Sequence, residues 1–359
     1  MEVTRPLAPA VEPNVSSDLL TQLATGAEAA DRAADWPATS WLTLQSSGVL
    51  GWSVPQEFGG AGLSAVELLR GAESLASACL TMAFVLSQRD AAVRRLLAGP
   101  DRLKLRYLPR LARGEVFLTV GLSQLTTSRQ HGGPALLATP TASGFRLDGD
   151  IPWVTGADQA EAIIIGATLH DGLQILAVLP TDLPGVTVGK PLELMALYGS
   201  RTSAVRCDGV ELDADLVLAG PADHVLGKAG GGGLETSALA LGLAGAAIDS
   251  LHREAERRAD LRDIATRFEP ARRRARERLH ELAVMPTATD AIHATRVGCT
   301  RLALQATQAA LVIAKGAGFV VPHPVQRWVR QALFFLVWSC PRPVSADLLE
   351  DLAPSVLSS

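Results

Sequence analysis

The feature that most limits how this chain folds is a change in the spacing of its apolar residues, made twice. From Asp18 to about Arg113 the spacing is helical: in LSAVELLRGAESLASACLTMAFVL, Leu63, Val66, Leu69, Ala72 and Leu75 recur at three- and four-residue steps. A turn-rich insert, VPQEFGGAGLS, interrupts it. From about Glu115 to Leu218 the pattern shortens to strand-like runs punctuated by Gly, Pro and Asp: FLTVGLS, ALLATPT, GFRLDGDIPWVT, AIIIGATL, LQILAVLP, GVTVGK and SAVRCDGVEL. From Leu234 the helical spacing returns through LETSALALGLAGAAIDSLHREAERR, the basic ARRRARERLHELAV and HATRVGCTRLALQATQAALVIAKGAG. The order, without internal repeats, predicts an α+β protein: a helical domain at 1–113, a β domain at 114–222 and a helical domain at 223–359.

Composition narrows the function classes. With 48% hydrophobic but only 4% aromatic residues, the core must come from Leu, Ala and Val, which suits closely packed helices. A net charge of −4 gives no electrostatic footprint for nucleic acid or an anionic membrane. Cys79, Cys207, Cys299 and Cys340 show no C-x-x-C spacing, and His280, His293 and His323 no metal-like pairing, so neither a metal site nor a disulfide framework is indicated and a reducing cytoplasm fits. The N-terminal MEVTRPLAPAVEPNVSSDLL lacks a basic stretch leading into an apolar run, and ALALGLAGAAI is too short to span a bilayer. Neither secretion nor a membrane span is expected. The arginines of ARRRARERLHELAV read as a solvated helix face offset by Glu277 and Glu281.

Five segments in order resemble the acyl-CoA dehydrogenase family of flavoproteins, from about Trp52 to Ser339. VPQEFGGAGLS is similar to V-P-x-x-x-G-G-x-G, RGEVFLTVGLSQ to the strand ending in Ser/Thr-Glu-Pro, and GFRLDGDIPWVTGADQA to G-x-x-L-x-G-x-K-x-W-I-T-x-x-x-x-A. LPGVTVGK with LYGSRTSAVRCDGVEL resembles the rest of the β domain, and GAGFVVPHPVQRWVRQA matches the spacing of G-x-G-[FY]-x-x-x-x-P-V-x-R-x-x-R-D-A. The resemblance implies a C-terminal four-helix bundle, a tetramer, and FAD held between the β domain and that bundle. Carried over, Trp153 and Thr155 contact the flavin, Ser123 sits on the same ring, and Arg262 is the nearest match to an arginine that meets the FAD pyrophosphate from a neighbouring subunit. An indole can wall off one side of the flavin ring, and a hydroxyl or N–H can hold its developing charge.

The chain also departs from the family pattern. Gln124-Leu125-Thr126-Thr127-Ser128-Arg129-Gln130 replaces Glu-Pro-x-x-Gly-Ser-Asp, which leaves CoA and carrier-protein thioesters both open. Arg-x-x-Phe-Gly is absent, and Val312 and Lys315 replace a glutamine and a glycine. Ser339 stands where most members carry the catalytic glutamate, and a serine cannot remove an unactivated α-proton. In some members the base comes instead from the first turn of the helix after the β domain, seven residues before a glycine, and Glu235 lies seven before Gly242. Four glycines, 230–233, precede it, and on its own helical face Ala238, Leu239 and Gly242 offer no countercharge. Desolvation should raise its pKa while the helix N-terminus lowers it.

The reading is an FAD-dependent α,β-dehydrogenation of an acyl thioester, with Glu235 as base and the Ser339 N–H polarising the thioester carbonyl. An electron-transferring flavoprotein or oxygen would reoxidise the flavin. Two alternatives stay open: a catalytically degenerate partner subunit of an active homologue, and a flavin monooxygenase on the same fold.

Overall fold

The computed structural model describes residues 15–126, 133–227, 233–285 and 289–353. Local signals start the N-terminal helices. Ser16 caps α1 (Ser17–Arg32) by accepting from Leu19 N–H, and Ser64 and Glu67 form a reciprocal capping box on α3 (Ala65–Ala78). Between them lie α2 (Ala38–Ser46) and the V-P-x-x-x-G-G-x-G turn, followed by α4 (Leu80–Leu97) and α5 (Asp101–Ala112). The turn needs its glycines: Gly59 and Gly62 have φ of +83° and +60°, and a Cβ on Gly60 would lie 2.0 Å from the Val54 carbonyl oxygen. The turn anchors the chain next to Trp52, whose ring fills the space a Cβ on Gly71 would take, 2.5 Å away.

The middle of the chain forms one sheet of β1 (Leu118–Gly121), β2 (Leu136–Pro140), β3 (Gly144–Val154), β4 (Ala162–Thr168), β5 (Gln174–Pro180), β6 (Val186–Val188), β7 (Ser203–Asp213) and β8 (Val217–Ala222). Its order is β6-β7-β3-β2-β4-β5-β8, with β1 parallel to β4. All seven strand-like runs of the sequence are strands. The eighth, VLAGPA, is not among the runs named from sequence; it lies at the sheet edge on β5, where a proline without an N–H is tolerated. The continuous apolar run of β4 has a simple cause. Ile163 and Ile165 enter a core on one face of the sheet, while Ile164 enters a second core with Val93, Leu96 and Tyr107 of α4 and α5, so both faces are buried.

The chain ends in α6 (Leu234–Arg257), α7 (Arg262–Val284), α8 (Thr289–Ala314), α9 (Pro324–Phe334) and α10 (Arg342–Leu352). Helices α6 to α9 pack as the C-terminal bundle, and α10 lies on α8. By length and composition, α6 and the stretch Thr289–Phe319 pass for membrane-crossing helices, but 78% of the apolar window of α6 is buried inside the molecule. That apolarity is used in the core. Leu23 of α1, Leu75 of α3, Leu239 of α6, Ala303 of α8 and Phe335 beyond α9 belong to one core, so the helices before and after the sheet form a single packed unit.

Two motifs prove to be cross-links between elements. Arg327 and Gln326 reach Glu28 of α1 at 3.0 and 3.2 Å, while Arg330 pairs with the buried Asp31 at 2.7 Å and Gln331 donates to it at 2.8 Å. The R-x-x-R-Q-A segment thus locks α9 onto α1. On α7 the expected offset by Glu277 and Glu281 is corrected in part: Arg278 meets Glu281, but Arg272 pairs with Asp249 of α6 and Arg276 with buried Glu73 of α3.

Candidate active site

Helix α6 crosses α3 at Gly242, where a Cβ would lie 2.2 Å from the Glu73 carbonyl oxygen. Seven residues are two turns, so Glu235 faces the same neighbours as Gly242. It lines a small cavity walled by Trp52, Leu68 and Ala72 on one side, Leu86 and Asp90 of α4 on another, and Leu239 of its own helix. Gly233, at the N-cap, is described, whereas 230–232 lie outside the described residues.

The expectation that Glu235 has no countercharge is corrected. Arg94 of α4 grips its carboxylate with both guanidinium nitrogens, one to each oxygen, the Nη2–Oε2 bond being 2.7 Å. Helical spacing along α6 sees only the face of that helix, and Arg94 comes from 141 residues away. The Glu235 side chain keeps 29% of its surface and Arg94 49%. Desolvation raises the Glu235 pKa above the usual carboxylate range; the charge and hydrogen bonds of Arg94 oppose that shift, and Asp90 adds to it. Asp90 is fixed in turn, accepting from Ser53 Oγ and Arg89 Nη1, both at 2.7 Å. Arg89, fully buried, donates to the carbonyls of Leu50 and Leu111 at 2.6 and 2.7 Å and ties α4 to the neighbouring segments.

Ser339 follows α9 in a turn with φ of +46°. The preceding Trp338 stacks on Phe334 with centroids 5.3 Å apart, and Phe84 of α4 meets both rings edge-on at 4.9 and 5.0 Å. This aromatic cluster seats the Ser339 turn against α4, the helix that also supplies Arg94 and Asp90. Cys340 is half-buried beside Val297 and Val344.

The flavin-site residues are placed differently from one another. Trp153, near the end of β3, leaves 48% of its surface open, unusual for an indole on a strand whose other face is core. Ser123 opens a 3₁₀ turn after β1 that packs on β3, and its buried Oγ has no hydrogen-bond partner among the described residues. An orphaned buried hydroxyl and an open indole, carried by neighbouring segments, fit a flat aromatic group with polar edges. Thr155 is buried, and its hydroxyl joins a chain through Thr202, at 3.2 Å, to Ser200, at 2.9 Å. Arg262 starts α7 exposed, with no side-chain partner among the described residues. Gln124 donates to the carbonyls of Gly121 and Gly166 at 2.9 and 2.8 Å, while 127–132 lie outside the described residues.

Residues 14–115 match the family model of the acyl-CoA dehydrogenase N-terminal domain. A probable acyl-CoA dehydrogenase of Bacillus subtilis is 24% identical over 336 residues, covering 87% of this chain and 88% of the relative. Among solved structures, butyryl-CoA dehydrogenase from Megasphaera elsdenii shares the fold with a TM-score of 0.82 at 18% identity, over 93% of this chain and 96% of that one. The prolyl acyl carrier protein oxidase AnaB does so with a TM-score of 0.79 at 17% identity, over 93% and 97%. The three-part fold, the N-terminal domain match and the nearly full-length relative make this chain similar to the acyl-CoA dehydrogenases over most of its length.

Proposed function

We propose that the protein is an FAD-dependent enzyme that forms an α,β double bond in an acyl thioester, with Glu235 as the base. The observation that carries this reading is a carboxylate with raised pKa lining a mainly apolar cavity between α3, α4 and α6. A general base works best with a pKa lifted toward the working pH, and the walls beside it are mainly apolar. Similarity over most of the chain to acyl-CoA dehydrogenases supports the reading.

Glu235 takes the α-proton, and its neutralisation ends the ion pair with Arg94, whose half-exposed guanidinium can turn to water. The Ser339 N–H donates to the thioester carbonyl oxygen as negative charge develops there. Ser123, Trp153 and Thr155 would hold the flavin, with the open Trp153 indole and the Ser123 hydroxyl, unpartnered among the described residues, available to it. Bound FAD would supply the acceptor for the β-hydride. Arg262, exposed in the single chain, is available to the FAD pyrophosphate of a second copy. The carrier is CoA or a carrier protein, and an electron-transferring flavoprotein or oxygen takes the electrons onward.

The visible spectrum of the purified protein tests this directly. An oxidised flavin spectrum that bleaches anaerobically on adding an acyl thioester is expected. A protein that stays colourless with added FAD would make it a degenerate partner subunit, and flavin reduced by NAD(P)H but by no thioester would make it a monooxygenase.

A further inference from the structure

Arg296 of α8 is one of the most deeply buried side chains in the molecule, 1% exposed, and among the described residues it has no carboxylate partner. A buried guanidinium without a counterion is expensive unless its N–H groups are otherwise satisfied. Its partners among the described residues are three main-chain carbonyls, which satisfy part of the guanidinium: Thr236 at 3.3 Å through Nη1, and Phe335 and Trp338, each at 3.0 Å through Nη2, while the buried Nε has none. Its charge also faces the Phe335 ring, 5.4 Å from the centroid. Thr236 directly follows Glu235, and Trp338 directly precedes Ser339. One side chain therefore ties the segment that carries the base to the segment that carries the carbonyl donor.

The bond to Trp338 has a chemical consequence. The Trp338 carbonyl and the Ser339 N–H are the two ends of one peptide group. A charge-assisted bond to the oxygen withdraws electron density and makes the N–H a stronger donor. Among the described residues the Ser339 N–H has no protein acceptor, and the left-handed backbone at Ser339 sets it apart from the helical ladder of α9. We propose that Arg296 is a positioning residue that fixes the Glu235 and Ser339 segments relative to each other and polarises the Trp338–Ser339 peptide for carbonyl activation. The activation half rests on the dehydrogenase reading; the polarisation half does not.

The test uses the full chain with FAD, labelled with ¹³C-carbonyl Trp and ¹⁵N-Ser. Only two Trp-Ser pairs occur, Trp52-Ser53 and Trp338-Ser339, so two amide signals report, and Ser53 serves as the internal reference. Arg296→Met should move the Ser339 nitrogen signal toward that of a weaker donor and leave Ser53 in place, and Arg296→Lys should give an intermediate position. With an enoyl thioester labelled at the carbonyl carbon, the shift caused by the wild type should shrink in the same order. Bleaching should slow by about 2- to 8-fold from lost polarisation alone, the share of an oxyanion donor's effect that one neighbouring bond supplies, with KM nearly constant. Should Arg296→Met not fold, Arg296→Lys decides alone. A Ser339 signal unmoved in a folded variant overturns the proposal, as does a thioester carbonyl that both variants shift as far as the wild type does. A wild type that leaves the thioester carbonyl unshifted refutes the dehydrogenase reading and the activation half, while the Ser339 signal still judges polarisation.

Discussion

Two opposing influences meet on Glu235. Desolvation raises its pKa, and Arg94 holds the shift back. A base acts only when ionised, so the bleaching rate should fall as pH drops through this raised pKa. Arg94→Gln removes the positive charge that favours the ionised carboxylate, so the pKa rises further and the acid limb of the rate profile moves to higher pH. Single-turnover bleaching across pH for both proteins checks this; superimposed limbs would mean that Arg94 does not govern the base. The placement of Glu235 on the Gly242 face of α6 was legible in sequence because that spacing lies within one helix. Arg94 was not, because a side chain from another helix leaves no periodic trace, and the same holds for Arg296, a lone charge in an otherwise apolar run.

At the scale of elements, the α3–α6 crossing sets where Glu235 points. Gly242→Ala places a methyl against the Glu73 carbonyl, 2.2 Å away before relaxation, so the helices must separate. A loss of about 1–3 kcal/mol in chemical denaturation is expected, with a matching fall in bleaching rate as the carboxylate retreats. An unchanged midpoint would show that the crossing has slack. Strand content was readable wherever apolar runs were bounded by turn residues. It did not extend to β8, whose Gly and Pro interrupt the apolar run and are tolerated only at the sheet edge. The partners of the α7 arginines were misread for a related reason: Asp249 and Glu73 belong to helices brought alongside only by tertiary packing.

For the whole molecule, the helices on either side of the sheet share one core, and the apolar residues left over gather toward the C-terminal part of the chain: Val312 and Phe319 are 75% and 77% exposed, and Val320 and Val337 are also open. Exposed apolar groups of this size favour burial in an assembly. With Arg262 unpartnered among the described residues and at the surface, we expect oligomers, of this chain alone or with a homologue. Light scattering at micromolar concentration should report more than one chain per particle; a strict monomer would leave Arg262 without a role at a neighbour's flavin. The period changes made the three-part order visible, but not how the chains associate, because a surface that meets a second copy carries the same residues as one that meets water.

The central claim is that Glu235 removes the proton, and Glu235→Gln tests it most directly. Glutamine keeps the size and the helix position but cannot accept the proton. With an acyl thioester shown to reduce the wild type, stopped-flow absorbance should find FAD still bound and bleaching slowed by about 10²- to 10⁴-fold. Bleaching at the wild-type rate in a variant that retains its flavin would contradict the account and leave Glu235 as an ordinary first-turn carboxylate paired with Arg94.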